Sequence, residues 1–371
     1  MHLHIVSFNV PWPADYGGVI DVFYRIKALS EAGVRIHLHC YTYGRQPAFE
    51  LERYCDEVIY YRRKTCPRKL FTRRPYIVSS RTSDQLLARL CEDQYPILLE
   101  GLHNAWILER LGGSRILLRA HNVEHEYYSR LSMVESRLFR KLYLRMDARK
   151  LRRYEPVMRK AACVLAITEA DAGHFKEIGC SNVFLLPPSH QHDDFVCRTG
   201  RGDYAVYHAD LSVPENVNGA TFLINKVFSH SEHRLILVGH NPAPSLLQLA
   251  GKHPNVTVVS DPDDDQMERI ISDAQVNVLV TEQATGLKLK LIHSLYCGRH
   301  CLVNSNMVAG TRLAEACVVA DSPESMREAL DRLMVQDFTR QHLLYRRRSL
   351  GPLYSNRANA QRLVALLSRM R

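Results

Sequence analysis

Short apolar runs alternate with amphipathic stretches along the whole chain. The first run, Leu3–Phe8, precedes apolar positions at helical spacing over Val19–Ala32, and Gly33 ends that stretch. Apolar runs of this length, bounded by turn residues, are typical of buried strands. In the first half they predict strands at Leu3–Phe8, Arg35–Tyr41, Glu57–Tyr61, Pro96–Leu102, Arg115–Ala120, Cys163–Thr168 and Val183–Leu186. Strands that alternate with helices predict a mostly parallel sheet with helices on both faces.

The alternation pauses once, at a polar segment that begins with two prolines. Pro187–Asp194 has no apolar period, and Thr199–Asp203 adds two glycines, so this region predicts a linker between domains. Beyond it, strands are predicted at Tyr204–His208, Arg234–Gly239, Val256–Val259, Val276–Val280, Cys301–Asn304 and Cys317–Ala320. The predicted domains are residues 1–188 and 203–336, followed by a helical tail over 337–371. Each domain is expected to be α/β, Rossmann-like and doubly wound.

Composition agrees with a two-domain protein outside the membrane. The chain has 371 residues, 46% of them hydrophobic, which is enough for two large cores. It has no run of eighteen apolar residues, and its start reads as a strand rather than a signal peptide. The ten cysteines show no paired framework, which suits a reducing compartment. We therefore expect a cytoplasmic protein.

Positive charge is concentrated in the first half. The net charge is +10, and residues 1–200 contribute 30 bases against 22 acids. Arg62–Arg81 holds eight bases and no acid, and Arg137–Lys160, within a long predicted helix from Val123 to Lys160, holds ten bases against two acids. These segments are either solvated helix faces or contacts for an anionic lipid surface or lipid-linked acceptor. Nucleic acid is disfavoured because no recognisable binding module is present.

The most informative segment for chemistry follows the strand Val276–Val280. It contains Gly286, then Lys288 and Lys290 in a predicted helix over Gly286–Tyr296. A glycine turn and a helix N-terminus carrying lysine form an anion site, because free N–H groups and the positive end of the helix dipole point the same way. On a continuous helix the two lysines diverge by about 200°. Both can therefore reach one ligand only if the helix begins between them.

Polar and glycine residues at other strand ends are weaker candidates. Gly17 and Gly18 follow the first strand, where a phosphate could approach the backbone, although an ordinary tight turn has the same pattern. His121, Asn122 and Glu124 follow Arg115–Ala120 and suit either sugar hydroxyls or a helix cap. The remaining candidates of this kind are His103, Gly239 and His240.

These motifs together resemble the retaining GT-B glycosyltransferases that use sugar nucleotides. Lys288, Lys290, Gly298 and Arg299 match the donor segment of that family. The resemblance implies two Rossmann-like domains that face each other across a cleft, with the helical tail over 337–371 packing back on the first domain. It also implies transfer of a sugar from a nucleoside diphosphate sugar to a hydroxyl of a glycan or lipid-linked acceptor. It implies retention of anomeric configuration, no metal, no other cofactor, and a role in polysaccharide biosynthesis at the inner face of a membrane.

The resemblance also assigns roles to individual residues. It implies that His121 and Lys290 act in catalysis. The implied acceptor-binding residues are His103, Asn122 and Glu124. The implied donor-binding residues are Gly17, Gly18, Gly239, His240, Thr285, Gly286, Lys288, Lys290 and His293.

Two departures from the family pattern keep other functions open. The family has two glutamates eight positions apart, and this chain has Thr285 and His293 there. A non-catalytic GT-B scaffold that binds a glycan, lipid or partner enzyme is one alternative, and a sugar-nucleotide epimerase is another. His293 and Cys297 are also spaced as zinc ligands on one helix face, with His300 and Cys301 nearby, but core packing is the favoured interpretation.

Overall fold

The computed structural model of the chain describes residues 1–284 and 286–369. It forms two compact units. Unit 1 comprises Met1–His190 together with the last helix of the chain, which begins at Asn356. Unit 2 comprises Gln191–Ser355. Each unit is built on one parallel sheet, so the predicted α/β class with two doubly wound sheets is confirmed.

The sheet of unit 1 has seven strands in the order β3-β2-β1-β4-β5-β6-β7. The strands are β1 His2–Ser7, β2 Arg35–Thr42, β3 Glu57–Arg62, β4 Ile97–Glu100, β5 Ile116–Ala120, β6 Cys163–Ala166 and β7 Val183–Leu185. Strand order reverses between β1 and β4, and doubly wound sheets bind ligands at the carboxyl ends of the strands around such a point. Apolar clusters cover both faces of the sheet, which explains why its strands read as continuous apolar runs.

Helices of unit 1 follow most of these strands. They are α1 Gly17–Glu31, α2 Tyr76–Ser79, α3 Asp84–Cys91, α4 Trp106–Leu111, α5 Glu124–Val134, α6 Leu138–Tyr154 and α7 Glu169–Glu177, with 3₁₀ turns at Phe49–Arg53, Pro67–Phe71, Leu102–Asn104 and Glu155–Lys160. The single long helix predicted from Val123 to Lys160 is therefore wrong. The chain breaks after α5 at Glu135, whose backbone is extended and whose carboxylate accepts the N–H of Arg137 at 3.0 Å just before α6.

Unit 2 repeats the same topology with six strands, in the order β10-β9-β8-β11-β12-β13. The strands are β8 Tyr204–His208, β9 Arg234–Gly239, β10 Val256–Ser260, β11 Val276–Leu279, β12 His300–Val303 and β13 Val318–Val319. The helices are α8 Pro214–Phe222, α9 Pro244–Ala250, α10 Asp264–Asp273, α11 Leu289–Cys297, α12 Ser305–Val308, α13 Pro323–Val335, α14 Arg340–Ser349 and α15 Gly351–Tyr354. Shorter turns lie at Leu223–Val227, Phe228–His230 and Leu313–Ala316. Strand order here reverses between β8 and β11.

The tail predicted as one segment over 337–371 is divided between the units. Helices α14 and α15 belong to unit 2 because the buried Arg346 guanidinium donates to the carbonyls of Leu295 and Gly298 at 2.9 and 2.8 Å. Only the last helix, α16 Asn356–Ser368, belongs to unit 1. It packs on α1 and places Leu363 in the apolar core of that unit.

Four histidines line one face of β1 and β2 in unit 1. His4 Nδ1 lies 2.9 Å from His39 Nε2, and His39 Nδ1 lies 3.0 Å from the Tyr61 hydroxyl. His4 Nε2 lies 3.1 Å from both carboxylate oxygens of Asp93. Beside this row of hydrogen-bonded side chains, His2 Nδ1 contacts His37 Nε2 at 2.9 Å. His4 and His39 are completely buried, so their hydrogen bonds are part of the core.

This histidine chain predicts acid sensitivity. Burial lowers the pKa of His39 to about 3 and also lowers the pKa of His4, whereas an unfolded histidine titrates near about 6.5. Their contribution is therefore complete above pH ~6.5 and is lost as pH falls, because the unfolded chain binds more protons. We expect the free energy of unfolding to drop by about 1 kcal/mol from His39 alone between pH ~6.5 and ~5.5, with a further decrease from His4. Urea denaturation of the wild type and His39→Gln should show a flatter pH profile for the variant, and parallel profiles would contradict this.

Candidate functional site

The reversal point of unit 2 brings together the two turns that follow β8 and β11. The first turn leads into α8, which begins at Pro214, and the second contains Gly286 and leads into α11, which begins at Leu289. The amino ends of two helices therefore border this edge of the sheet. The N–H groups in the first turn of each helix have no acceptor within the helix, which makes the edge attractive to an anion.

Lys290 lies in the first turn of α11 and turns toward this edge. Its Nζ lies 3.1 Å from Asn216 Oδ1 in α8 and 5.2 Å from the centre of the Tyr207 ring in β8. Burial lowers the pKa of Lys290 to about 8, the neighbouring Glu215 opposes this shift, and Lys288 adds to it. The ammonium thus lies near one amide oxygen, one aromatic face and one carboxylate. A ligand with more negative charge than these neighbours can therefore bind to it.

The second lysine takes a different position because the helix begins between the two. Lys288 is the N-cap of α11, with extended backbone, and its Nζ lies 3.3 Å from the Gly286 carbonyl. Gly286 has a φ of 69°, in the left-handed region that favours glycine. The predicted helix start at Gly286 is therefore wrong by about one turn. Gly286 has a left-handed backbone that cannot belong to a right-handed helix, and α11 begins only at Leu289. Thr285, the remaining predicted donor residue here, lies outside the described residues.

His293 lies one turn further along α11. Its Nδ1 is 3.0 Å from Gln191 Nε2, and its ring centre is 4.7 Å from that of His192. A nearby histidine, His208 at the end of β8, bonds Ser294 Oγ at 2.8 Å, and burial lowers its pKa to about 3. This edge therefore offers the His293 imidazole where the resembled family has a glutamate, beside the neutral imidazole of His208.

Gly239 and His240 occupy the end of β9. A Cβ at Gly239 would lie 1.7 Å from the Ala209 carbonyl oxygen, so only glycine permits β9 to approach the turn after β8. His240 is largely exposed, and its Nδ1 lies 3.6 Å from Asp261 Oδ1. The glycine is explained by backbone packing, and the histidine side chain is accessible to a ligand.

The reversal point of unit 1 contains a buried network of charges. Asp21 of α1 pairs with Arg119 of β5, whose Nη2 lies 3.1 Å from its Oδ2. Arg25, one turn along α1, bonds Asp21 and also reaches Glu100 Oε1 at 3.1 Å. Burial alone would raise the pKa of Asp21, but Arg119 and Arg25 outweigh it and hold that pKa below its usual value. Two carboxylates and two guanidiniums thus balance inside the core.

His121 closes this network at the carboxyl end of β5. Its Nε2 lies 2.9 Å from Glu100 Oε2, and its Nδ1 lies 3.5 Å from Asp21 Oδ2. Burial opposes ionisation of Glu100, yet Arg25 and His121 lower its pKa. Both ring nitrogens of His121 thus face carboxylates of the same unit. The predicted hydrogen bond from His121 to a sugar would require it to release one of them.

Glu124, the first residue of α5, lies close by and behaves differently. It is buried, and burial together with the neighbouring Glu155 raises its pKa to about 8, against a smaller effect of Arg81. Within the described ranges, 1–284 and 286–369, its carboxyl makes no hydrogen bond or ion pair. At neutral pH it is mainly protonated and can donate a hydrogen bond. Asn122 precedes it and is partly exposed.

The remaining predicted residues of unit 1 surround Phe8, which follows β1. His103 stacks on the Phe8 ring at 5.1 Å, and His121 meets its edge at 5.4 Å. Burial lowers the pKa of His103 well below its usual value, and its Nδ1 has no hydrogen-bond partner among the described residues. Gly17 and Gly18 begin α1, and a Cβ at Gly18 would lie 2.9 Å from Phe8 Cζ. All six predicted residues of this unit therefore lie at the reversal-point edge.

Known proteins resemble the chain over its whole length. Sucrose-phosphate synthase from Thermosynechococcus elongatus matches 100% of this chain and 98% of its own, with a TM-score of 0.73 and 18% identity. HepE of Anabaena, solved with UDP and glucose, matches 99% of each chain with a TM-score of 0.63 and 12% identity. WaaG, a glycosyltransferase involved in lipopolysaccharide biosynthesis, matches 99% of each chain with a TM-score of 0.64 and 13% identity.

The chain has the GT-B fold. The fold predicted from the resemblance is thereby confirmed. No family model matches the chain. A curated Klebsiella pneumoniae protein, described as an uncharacterized 44.6 kDa protein in the cps region, is 23% identical over 325 residues, which are 78% of this chain and 79% of that protein.

Among the residues that the structure describes, two groups of side chains could hold a metal ion. In unit 2 the group is His192, His293 and Cys297, and in unit 1 it is His125, Glu155 and His174; the ligand atoms of each lie within 4.8 Å of one another. His293 and Cys297, which the sequence spacing marked as possible zinc ligands, are thus joined by His192, which precedes β8. His300 and Cys301 lie elsewhere: His300 Nε2 contacts the Gln336 carbonyl and Cys301 lies near Arg346.

The sequence patterns missed several residues of these edges. A charged residue inside an apolar strand was the available signal for Glu100 and Arg119, and an acid among apolar helix positions was the signal for Asp21. The missed residues are Asp21, Arg25, Glu100 and Arg119, and the sequence did not indicate that Asn216 would bond Lys290.

Proposed function

We propose that this GT-B protein is a glycosyltransferase that uses a nucleoside diphosphate sugar as donor. The observation that carries the proposal is Lys290, whose partly buried ammonium lies at the helix-bordered edge of unit 2. When the glycosidic bond to the diphosphate breaks, negative charge develops on the leaving oxygen. A preorganised ammonium and the first N–H groups of α11 stabilise that charge. Lys288 and Gly286 border the same site, and Thr285, Gly239 and His240 are the remaining proposed donor contacts of unit 2.

Unit 1 supplies the proposed acceptor contacts. Glu124, protonated at neutral pH, can donate a hydrogen bond to a sugar hydroxyl, and the buried Nδ1 of His103 can accept one. Asn122, which lies between His103 and Glu124 in the sequence, offers a side-chain amide as a further hydrogen-bonding group. His121 is assigned a positioning role, because its nitrogens bridge Asp21 and Glu100 and fix the turn that carries the other residues. Gly17 and Gly18 let the acceptor or donor phosphate approach the start of α1.

The donor and stereochemistry are proposed by analogy. HepE was solved with UDP and glucose, so UDP-sugars are the first donors to examine. Retention of configuration is what the GT-B resemblance implies, and His293 would contact the donor ribose in place of the family's glutamate. An acceptor hydroxyl on a glycan or lipid-linked sugar, in polysaccharide biosynthesis, completes the proposal, since WaaG is described as acting in lipopolysaccharide biosynthesis. We propose no metal in this reaction.

Binding and turnover of nucleotide sugars test the proposal. Calorimetry with UDP-, GDP- and ADP-sugars should show one donor bound per chain. Release of the free nucleoside diphosphate should follow on addition of a lipid-linked oligosaccharide mixture, and the anomeric proton coupling of the product reports retention or inversion. A protein that binds none of these donors and releases no nucleotide would overturn the proposal.

A non-catalytic scaffold is the second candidate, and one feature of the structure favours it. His293 already contacts Gln191 and His192, where the resembled family has a glutamate free to hold the donor. The same calorimetry separates the two functions. Acceptor binding without donor binding supports the scaffold, and donor binding with nucleotide release excludes it.

We also propose that unit 1 docks on an anionic membrane surface. Within the described residues, no helix combines the length and apolarity that a membrane crossing needs. The amino-terminal half of α6 instead exposes large apolar side chains, including Phe139, which is 93% exposed. We call this surface the α6 patch; its residues are Met133 near the end of α5 and Leu138, Phe139 and Leu142 of α6. Exposed bases of Arg137–Lys160 lie along the same helix, and the basic segment Arg62–Arg81 contacts α6 where the Leu70 carbonyl accepts from Lys150 Nζ at 2.5 Å. Exposed apolar side chains beside such bases are typical of helices that lie in a lipid interface.

The α6 patch predicts binding to vesicles of phosphatidylcholine and phosphatidylserine. Leu138→Ser/Phe139→Ser should weaken co-sedimentation roughly 10- to 100-fold, because two exposed apolar side chains lose their insertion into the bilayer. Phe49→Ser, which removes an equally exposed aromatic outside the patch, is the matched control and should bind like the wild type. Equal loss in both variants, or no binding by the wild type, would contradict the docking surface.

A further inference from the structure

His125, Glu155 and His174 converge in unit 1 from three separate segments. His125 belongs to the first turn of α5, Glu155 follows the end of α6, and His174 lies in α7. His125 Nδ1 lies 2.8 Å from Glu155 Oε1, and His174 Nε2 lies 3.1 Å from Glu155 Oε2. His125 and His174 therefore each direct one nitrogen at the Glu155 carboxylate, although they lie 30 and 19 positions from it along the chain.

The group has the composition and spacing of a metal-binding set. Two imidazoles and a carboxylate are common ligands of Zn²⁺, at about 2.0–2.2 Å from the ion. Tetrahedral coordination at that radius separates neighbouring ligand atoms by about 3.3 Å. The observed nitrogen–oxygen distances of 2.8 and 3.1 Å differ from this by half an ångström or less. Small side-chain rotations would therefore admit the ion.

Burial makes the group asymmetric in a way that favours a cation. The Glu155 side chain is 2% exposed, whereas His125 and His174 are 18% and 22% exposed. A buried carboxylate gains more from a divalent ion than from two imidazole N–H donors, since charge interactions strengthen as water is excluded. The partly exposed imidazoles leave an entry path and room for a water as a further ligand.

We infer that His125, Glu155 and His174 form a binding site for a divalent transition metal of the Zn²⁺ class. The ion fixes the start of α5 to α7 and so holds the turn that carries Asn122 and Glu124. This site is distinct from the proposed donor chemistry of unit 2 and does not depend on it. It departs from the expectation, implied by the family resemblance, that the protein holds no metal.

Zinc titration of the full chain without nucleotide tests the site. Calorimetry should show one tight Zn²⁺ per chain, and thermal denaturation should show a rise in Tm of roughly 5 °C when zinc exceeds its Kd about 100-fold. His174→Gln keeps an N–H directed at Glu155 but lacks the imidazole ligand, so it should weaken zinc binding at least 100-fold with an unchanged Tm in the absence of zinc. His125→Asn is the corresponding variant at the other histidine.

The second group of ligands provides the control. Cys297→Ser removes the thiol of the His192 group and should leave the tight Zn²⁺ in place, and the Co²⁺-loaded wild type should show no thiolate charge-transfer band. Loss of the tight ion in Cys297→Ser with its retention in His174→Gln would overturn the inference. So would a wild type that binds no zinc, because the three side chains would then form a hydrogen-bonded contact only.

Discussion

Lys290→Ala is expected to lower kcat/KM for sugar transfer by about 10²–10³, the loss typical of removing one preorganised donor to developing negative charge. Donor affinity alone should fall about 10- to 100-fold, since a charged hydrogen bond contributes about 1.5–3 kcal/mol. The ammonium lies 3.1 Å from Asn216 Oδ1 and over the Tyr207 ring, so truncation leaves an amide and an aromatic face with no charge for a diphosphate. Calorimetry with the accepted donor and nucleotide-release kinetics measure both effects.

The control for this prediction is a variant with the same net charge as Lys290→Ala. Lys252→Ala removes an exposed lysine of unit 2 and should leave donor affinity unchanged, whereas a general loss of positive charge would weaken both variants. The pKa of Lys290 near 8 adds a pH test. Donor affinity of the wild type should decline as pH rises through about 8, because the ammonium deprotonates, and Lys290→Ala should lack that decline.

Asp21→Asn is expected to destabilise unit 1 by about 3–5 kcal/mol, the cost of leaving a buried charge without its partner. Asp21 is the shared counter-ion of Arg25 and Arg119, and it also accepts the Ser189 N–H at 2.6 Å. An amide retains the size of the side chain and one acceptor but removes the charge. Urea denaturation followed by far-ultraviolet circular dichroism measures the change in unfolding free energy.

Two companion variants make this result interpretable. Asp15→Asn removes the carboxylate of an exposed pair with Arg45 and should have little effect, as surface ion pairs generally do. Asp21→Asn/Arg119→Met removes one charge of each sign and should recover part of the loss, because the second change deletes the orphaned guanidinium. Equal destabilisation by Asp15→Asn and Asp21→Asn would show that the network does not carry this energy.

Local periodicity was sufficient to predict the architecture. Each strand is an apolar run of a few residues, and each amphipathic stretch precedes the next strand, so the α/β alternation can be read without knowing any long-range contact. The topology rules for parallel sheets then leave few arrangements, and the doubly wound order found in both sheets is one of them. The glycine and lysines before α11 could be placed at a strand end for the same reason.

Helix ends and helix breaks were less predictable. The continuous pattern over Val123–Lys160 concealed the break after α5, where the backbone of Glu135 is extended and its carboxylate accepts the N–H of Arg137. Likewise the positive φ of Gly286 delays α11 to Leu289. Apolar spacing shows which face of a segment is buried, but it does not record a single backbone hydrogen bond.

By itself, therefore, the sequence determined two doubly wound sheets and a basic helix start at the edge of the second, because these follow from contacts between residues close in the chain. Only the tertiary structure decided that Glu100 and Asp21 both face His121, that Asn216 accepts from Lys290, and that His125 and His174 meet at Glu155. Such pairs join segments about 20 to 100 residues apart. Their geometry depends on how whole helices pack on the sheet, and their charge states depend on the water that this packing excludes.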